Sequence, residues 1–267
     1  MNEEEGQLKR FISLCAIIFM TLSLVCFSVA QTEEEGMLQA RKIKTTLGLE
    51  YFSRKIAWDV TRSSNLKSLL FTFNLEIEFP KELSANTIFG YSFSNYRELA
   101  FRGLPFSLTI GEETGTVRGF IIGEEIKKGI IASEKLKIDG LGQLIGFLGL
   151  NKEWKITGLA LPGTAEGRAS WWRASLGPVF TYRGFTPFFP YVYLNLNTLW
   201  GTFRMQEAIG ELQATERQKM YSKSFICIAF GFNYDLTSAL ILKGEVSFLP
   251  YKDGADLGLV IKAMYSF

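Results

Sequence analysis

The chain has 267 residues, enough for one large domain or two small ones, and carries 29 Lys and Arg against 27 Asp and Glu. With so weak a net charge, no long basic run and no supporting motif, a nucleic-acid partner is excluded. The absence of histidine removes Ser-His-Asp and Cys-His catalysis and His-based metal sites, whereas 23 Phe, 10 Tyr and 25 Gly favour strands, bulges and turns.

The chain opens with Lys9 and Arg10 ahead of an apolar run, FISLCAIIFMTLSLVCFSVA, that ends Ser28-Val29-Ala30. This pattern predicts a secretory signal peptide over residues 1–30, cut between Ala30 and Gln31. The acidic NEEE before it is atypical, and residues 11–30 are long enough to cross a bilayer as a helix, so an uncleaved anchor is the alternative. Cleavage leaves Cys227 as the sole cysteine, which rules out an intrachain disulfide. Residues 31–42 read as a short polar leader.

From Ile43 the apolar period is two. Ile43, Thr45, Leu47, Leu49 and Tyr51 share a face, and Ile56, Trp58 and Val60 resume in shifted parity, which predicts a bulge near Ser53–Arg54. TRSSN (61–65) reads as a turn. In LKSLLFTFNLEIEF (66–79), Leu69, Phe71, Phe73, Leu75, Ile77 and Phe79 oppose Ser68, Thr72, Asn74, Glu76 and Glu78, and Pro80 ends the strand. The middle of the chain is less clear, with candidate strands at 86–93, 103–110, 115–122, 129–138 and 153–160. GLGQLIGFLGL (140–150) is open between strand, re-entrant stretch and helical turn. Residues 169–182 put Trp172, Ala174, Leu176, Phe180 and Tyr182 opposite Trp171, Arg173, Ser175 and Thr181. A strand at 187–200 is followed by a polar, loop-like stretch at 201–222. The strands 223–234, 238–249 and 255–267 complete a meander of hairpins rather than a βαβ series.

Long alternating strands fit either a soluble sandwich with a shared apolar core or a transmembrane barrel with its apolar face outward. Three features favour the barrel. The strands run to about 12–14 residues, above the ~5–6 common in soluble sheets. Charges sit at mid-strand on the second face: Glu76, Glu78, Arg173, Lys243, Glu245 and Lys262 are the candidate lumen charges. They would form either a paired network that plugs the interior or the lining of a narrow channel. Aromatics gather near strand ends, with Trp58, Trp171, Trp172 and Trp200 as candidate interfacial residues.

The last strand carries a more specific signal. Leu257, Leu259, Ile261, Ala263, Tyr265 and Phe267 share one parity to the final residue. With the signal peptide and the alternating hairpins, this ending resembles the bacterial outer-membrane β-barrel superfamily, most closely the small OmpA-like and OmpW-like barrels. The resemblance implies a location in the outer membrane, contact with its lipid, and a barrel-assembly machinery that reads Leu259, Ile261, Tyr265 and Phe267 during insertion. It also implies an even strand count and termini in the periplasm. The candidates total an odd number, so at least one is wrong; ten strands over 43–267 is the expected count, with eight and twelve as alternatives.

Barrel phospholipases, deacylases and proteases typically use His, from which this chain departs. No P-loop or dinucleotide motif is present, Cys227 reads as a small inward filler, and Glu76 with Glu78 needs no acid–base role on a solvent-lined wall. The sequence therefore predicts a non-enzymatic barrel without cofactor or metal. It would serve envelope integrity or passive passage of a small or hydrophobic solute. The alternatives are a surface protein binding through its outer loops and a soluble or anchored periplasmic β-sandwich.

Overall fold

The computed structural model describes residues 43–267 apart from 59–61, 98, 107, 111–114, 157–162 and 253. The expected signal peptide and leader lie outside the described residues.

Side chains alternate between a lipid-like outer face and an interior along every long strand, and that alternation builds the fold. Strands β1 (Ile43–Ala57), β2 (Ser63–Phe79) and β3 (Leu83–Tyr96) form a meander. β4 (Leu99–Phe101) and β5 (Leu108–Ile110) make a separate two-stranded hairpin. β6 (Thr116–Ala132), β7 (Leu136–Gly149), β8 (Lys152–Ile156), β9 (Gly163–Tyr182) and β10 (Phe188–Ile209) follow, then β11 (Leu212–Ser222), β12 (Ile226–Asp235), β13 (Leu240–Tyr251) and β14 (Gly254–Ser266). Neighbours pair antiparallel in the order β10-β12-β13-β14-β1-β2-β3-β6-β7-β9, and β9 pairs back onto β10. The circuit is closed and has ten strands, the expected number.

A second circuit closes at one end. The outer half of β10 pairs with β11 instead of β12, and β11 reaches β1 through Ile56↔Ser222 and Ala57↔Tyr221. There β11 alone stands where β12, β13 and β14 stand lower down, so β11-β1-β2-β3-β6-β7-β9-β10 is a ring of eight. Barrel diameter grows roughly linearly with strand number, and about eight strands leave an interior just wide enough for side chains to fill. The barrel tapers from ten strands to eight. The wide end carries Ile43, Phe267 and the turns at 80–82, 133–135, 183–187 and 236–239. The narrow end carries the β4–β5 hairpin and the β10–β11 hairpin, whose two-residue turn is made possible by Gly210 at φ 57°.

The ladder corrects several sequence expectations. β1 pairs with β2 in unbroken register from Ile43↔Ile77 to Ala57↔Ser63, so no bulge lies at Ser53–Arg54. The apolar parity shifts because the interior itself becomes apolar above Phe52. Ser63 to Asn65 belong to β2 rather than to a turn. The candidates at 115–122 and 129–138 overlap one strand, β6, whose register slips between Gly129 and Ile131. Residues 140–150 fall almost wholly in β7. The stretch at 103–110 contributes only the short β5, outside the ring, and 201–222 is not a loop but the end of β10 and all of β11.

The apolar residues of the outer face make the sandwich alternative untenable. Leu47 and Leu196 are 67% and 66% exposed, and Phe71, Phe73, Phe89, Phe120, Phe230 and Ile261 are exposed around the same wall. A closed ladder leaves no unpaired edge, which hydrocarbon would penalise. A band of exposed aromatic and aliphatic side chains on such a ladder is the surface of a protein whose solvent is lipid.

Candidate functional site

Among the described residues the elements converge on the interior, which has two chemically distinct layers. In the narrow, eight-stranded half most of the large inward side chains are apolar. Phe52 and Ile56 of β1, Leu66 and Leu70 of β2, Tyr96 of β3, Val117 and Ile121 of β6, Phe147 of β7, Trp171 of β9 and Leu199, Phe203 and Met205 of β10 form one buried cluster. Trp171 stacks on Phe147 (centroids 5.4 Å apart, 19° between planes) and receives the edge of Phe52 at 5.5 Å. Its indole Nε1 donates to Ser94 Oγ at 3.4 Å. Tyr96 meets Phe203 edge-on at 5.1 Å.

The β4–β5 hairpin closes this layer from above. Leu99, Phe101 and Leu104 are buried in the same cluster, and Phe101 lies 5.5 Å from the Phe203 ring. Inward polar groups of β10 and β11 hold its backbone. Gln218 Nε2 donates to Ala100 O at 2.8 Å, while Glu216 and Glu207 accept from the amides of Gly103 (2.7 Å) and Phe106 (3.1 Å). Burying backbone groups of a loop requires such partners.

The wide half is polar. Arg173 forms a two-pronged ion pair with Glu50, with Nη2–Oε2 at 3.0 Å. Lys243 Nζ lies 3.3 Å from Glu245 Oε2, which also accepts the Tyr191 hydroxyl at 2.6 Å. Glu125 accepts from Gln143 Nε2 at 2.8 Å. Nearer the rim Lys44 pairs with Glu78, Lys127 stands 3.9 Å from Glu76, and Lys137 bridges Glu82 and Asp139 at 3.3 and 3.2 Å. A cavity of about 70 Å³ remains among Glu50, Arg54, Glu125, Arg173, Lys243, Glu245 and Lys262. At about 10–15 Å³ per site it has room for a few waters and for no drug-sized ligand.

The seam where ten strands become eight has its own polar clasp. Above Ser53↔Leu257, β14 no longer reaches β1, and β11 takes over only at Ile56. Asp256 fills the gap: it is 4% exposed, and its Oδ1 accepts from the Lys55 amide at 2.7 Å while Oδ2 accepts from Ser224 Oγ at 2.9 Å. Just inside, Arg54 Nη2 donates to Asn197 Oδ1 at 2.9 Å.

All six sequence-predicted charges face this interior: Glu76, Glu78, Arg173, Lys243 and Glu245 each stand beside an opposite charge, and Lys262 lines the cavity. Sequence reading passed over Glu50, Arg54, Glu125 and Asp256. Glu50 was legible as a charge opposite in parity to Leu49 and Tyr51, whereas Arg54 was displaced by the supposed bulge. The four tryptophans divide. Trp172 and Trp200 face outward and are half-buried; Gly146 leaves room for the Trp172 ring, which would lie 2.6 Å from a Cβ there. Trp58 and Trp171 are corrected: they are 8% and 0% exposed and belong to the interior cluster. Cys227 is buried and inward. Among the described residues no three His, Cys, Asp or Glu side chains group as a metal site.

The fold is that of a membrane-spanning β-barrel. No protein-family model matches the chain, and no curated protein does. Solved structures do show similarity. The translocator domain of autotransporter NalP from Neisseria meningitidis is 9% identical over 95% of this chain and 98% of its own, with a TM-score of 0.47. The outer membrane protease OmpT from Escherichia coli is 11% identical over 88% and 100%, at 0.46. Ail, the attachment invasion locus protein of Yersinia pestis, is 9% identical over 84% and 98%, at 0.32. The closed ladder and its apolar outer wall, rather than these distant likenesses, carry the fold.

Proposed function

We propose that the chain is a bacterial outer-membrane barrel that is closed to solutes, with a structural role in the envelope and a rigid platform at the cell surface. The observation that supports this is the apolar cluster around Trp171, contributed by strands around the whole eight-stranded ring and capped by the β4–β5 hairpin. A channel needs a continuous polar path, and in this barrel the apolar cluster interrupts the path above the polar wide half. In the orientation usual for such barrels, short turns and termini face the periplasm. The β10–β11 hairpin and the β4–β5 hairpin then face the outside. Outer-face residues Leu259, Ile261, Tyr265 and Phe267 would present the assembly machinery with its signal before closure against β1.

The test is expression with the native amino terminus in a two-membrane bacterium, followed by membrane fractionation and gel migration with and without boiling. The protein should fractionate with the outer membrane and shift in mobility on heating. A soluble or inner-membrane protein with no shift would contradict the reading.

A further inference from the structure

The polar cavity of the wide half holds a guanidinium that the ion-pair network leaves out. Arg173 of β9 crosses the bore to Glu50 of β1, and its Cζ lies 5.2 Å from the ring centroid of Phe52, the next inward residue of that strand. Arg54 is the inward residue after Phe52, lines the same cavity and is 3% exposed. Its Nη2 donates to Asn197 Oδ1 at 2.9 Å, but its Nε and Nη1 meet no acceptor among the described residues.

A guanidinium keeps its charge in any protein setting, and burying it without partners is costly. The acids around Arg54 are committed elsewhere. Both oxygens of Glu50 are held by Arg173. Glu245 accepts the Tyr191 hydroxyl and stands beside Lys243, and Glu125 accepts from Gln143. Asp256, at the seam, accepts from the Lys55 amide and the Ser224 hydroxyl and does not line the cavity.

A second cation adds to the imbalance. Lys262 of β14 lines the cavity and stands directly opposite Lys243 in the ladder, where like charges repel. Lys243 has Glu245 at 3.3 Å, whereas Lys262 makes no ion pair among the described residues. Once Arg173 is matched with Glu50 and Lys243 with Glu245, the lining leaves Arg54 and Lys262 against Glu125 alone.

Size and charge select the ligand. A cavity of about 70 Å³ admits an ion of roughly water size and excludes a bulky organic acid. An excess of one positive charge in the lining calls for a monovalent anion, and free N–H donors of a charged group are strong partners for one.

We propose that the cavity lined by Arg54 and Lys262 is a binding site for a small monovalent anion of the halide class. The ion completes the hydrogen bonding of Arg54. It thereby steadies the seam where ten strands become eight, because Asp256 holds the very next residue, Lys55. The proposal rests on the closed interior and not on which end of the barrel faces the cell surface.

The test uses the full-length protein in detergent, with chloride exchanged for gluconate, an anion too large for the cavity, at constant ionic strength. Ligand that binds only the folded state raises stability with the logarithm of its concentration. The temperature at which the cold gel form converts to the boiled form should therefore rise steadily with chloride for the wild type, and bromide should replace chloride. Arg54→Met should abolish the dependence and Lys262→Met should weaken it, whereas Lys135→Gln, in an exposed turn, should keep it. Equilibrium dialysis with radiolabelled chloride reads occupancy without any variant: the wild type should retain one chloride per chain, displaced by bromide and not by gluconate. A wild-type barrel that retains no chloride would overturn the site and leave the cavity to water. Equal chloride dependence in the wild type and Arg54→Met would also overturn it, by assigning the effect to surface charges. A wild-type protein with no heat-dependent shift in either salt would remove the barrel itself, and the site with it.

Discussion

Trp171 and Trp172 are adjacent, identical in chemistry and opposite in environment. Strand parity alone puts Trp172 against lipid and Trp171 against Phe52 and Phe147. Truncating Trp171 removes a large side chain from a closed interior, and such changes cost about 3–5 kcal/mol. Chemical unfolding in detergent should show that loss for Trp171→Ala and a much smaller one for Trp172→Ala. The parity was legible in the sequence; the interior's chemistry was not. An apolar interior removes the contrast on which the lipid-facing assignment rests, and so Trp58 and Trp171 read as interfacial. Charges were easier, because neither lipid nor an apolar core tolerates them, which leaves the polar half of the interior as their place. Glu50 and Arg173 are the clearest such pair. Removing one member strands the other, a loss of about 3–5 kcal/mol. Glu50→Gln should destabilise the barrel in the same unfolding assay, and Glu50→Leu with Arg173→Met should recover most of that loss.

At the scale of elements, β11 was read as a loop, and of the β4–β5 hairpin only the β5 side fell within a candidate strand, 103–110. Past Trp200 the outer face leaves hydrocarbon and becomes Thr202, Arg204 and Gln206, while the inner face mixes Phe203 and Met205 with Glu207. Both faces are then partly polar, and a period of two disappears although the strand continues. Glu207, Glu216 and Gln218 looked like loop residues because their partners are backbone groups more than a hundred positions earlier. L99S/F101S should release the hairpin without opening the ring: amide exchange should accelerate across 99–110 and stay slow in β1, β2 and β14. The Asp256 clasp is the second element-level device. Asp256→Ala leaves the Lys55 amide and the Ser224 hydroxyl without their acceptor, at about 1–3 kcal/mol per group. Faster exchange at Lys55 should appear before any global loss of structure.

Across the whole molecule, the number of strands decides what the interior can be. Ten strands leave space for ion pairs and a small polar cavity; eight bring the walls close enough for apolar side chains to fill the bore. The sequence carried the ring of ten, the outward Phe and Leu and the C-terminal strand. It did not carry the change of partner along β10, because pairing is set by register between distant segments rather than by local pattern. The taper and the plug are one feature, and together they support the proposal that the barrel is closed to solutes. The most direct test is single-channel recording of the outer-membrane-extracted protein in a planar bilayer at about 100 mV. The account predicts no long-lived conductance steps from the wild-type protein. Stable steps from a wild-type barrel with the hairpin in place would mean that a continuous aqueous path runs past Trp171, and would contradict it.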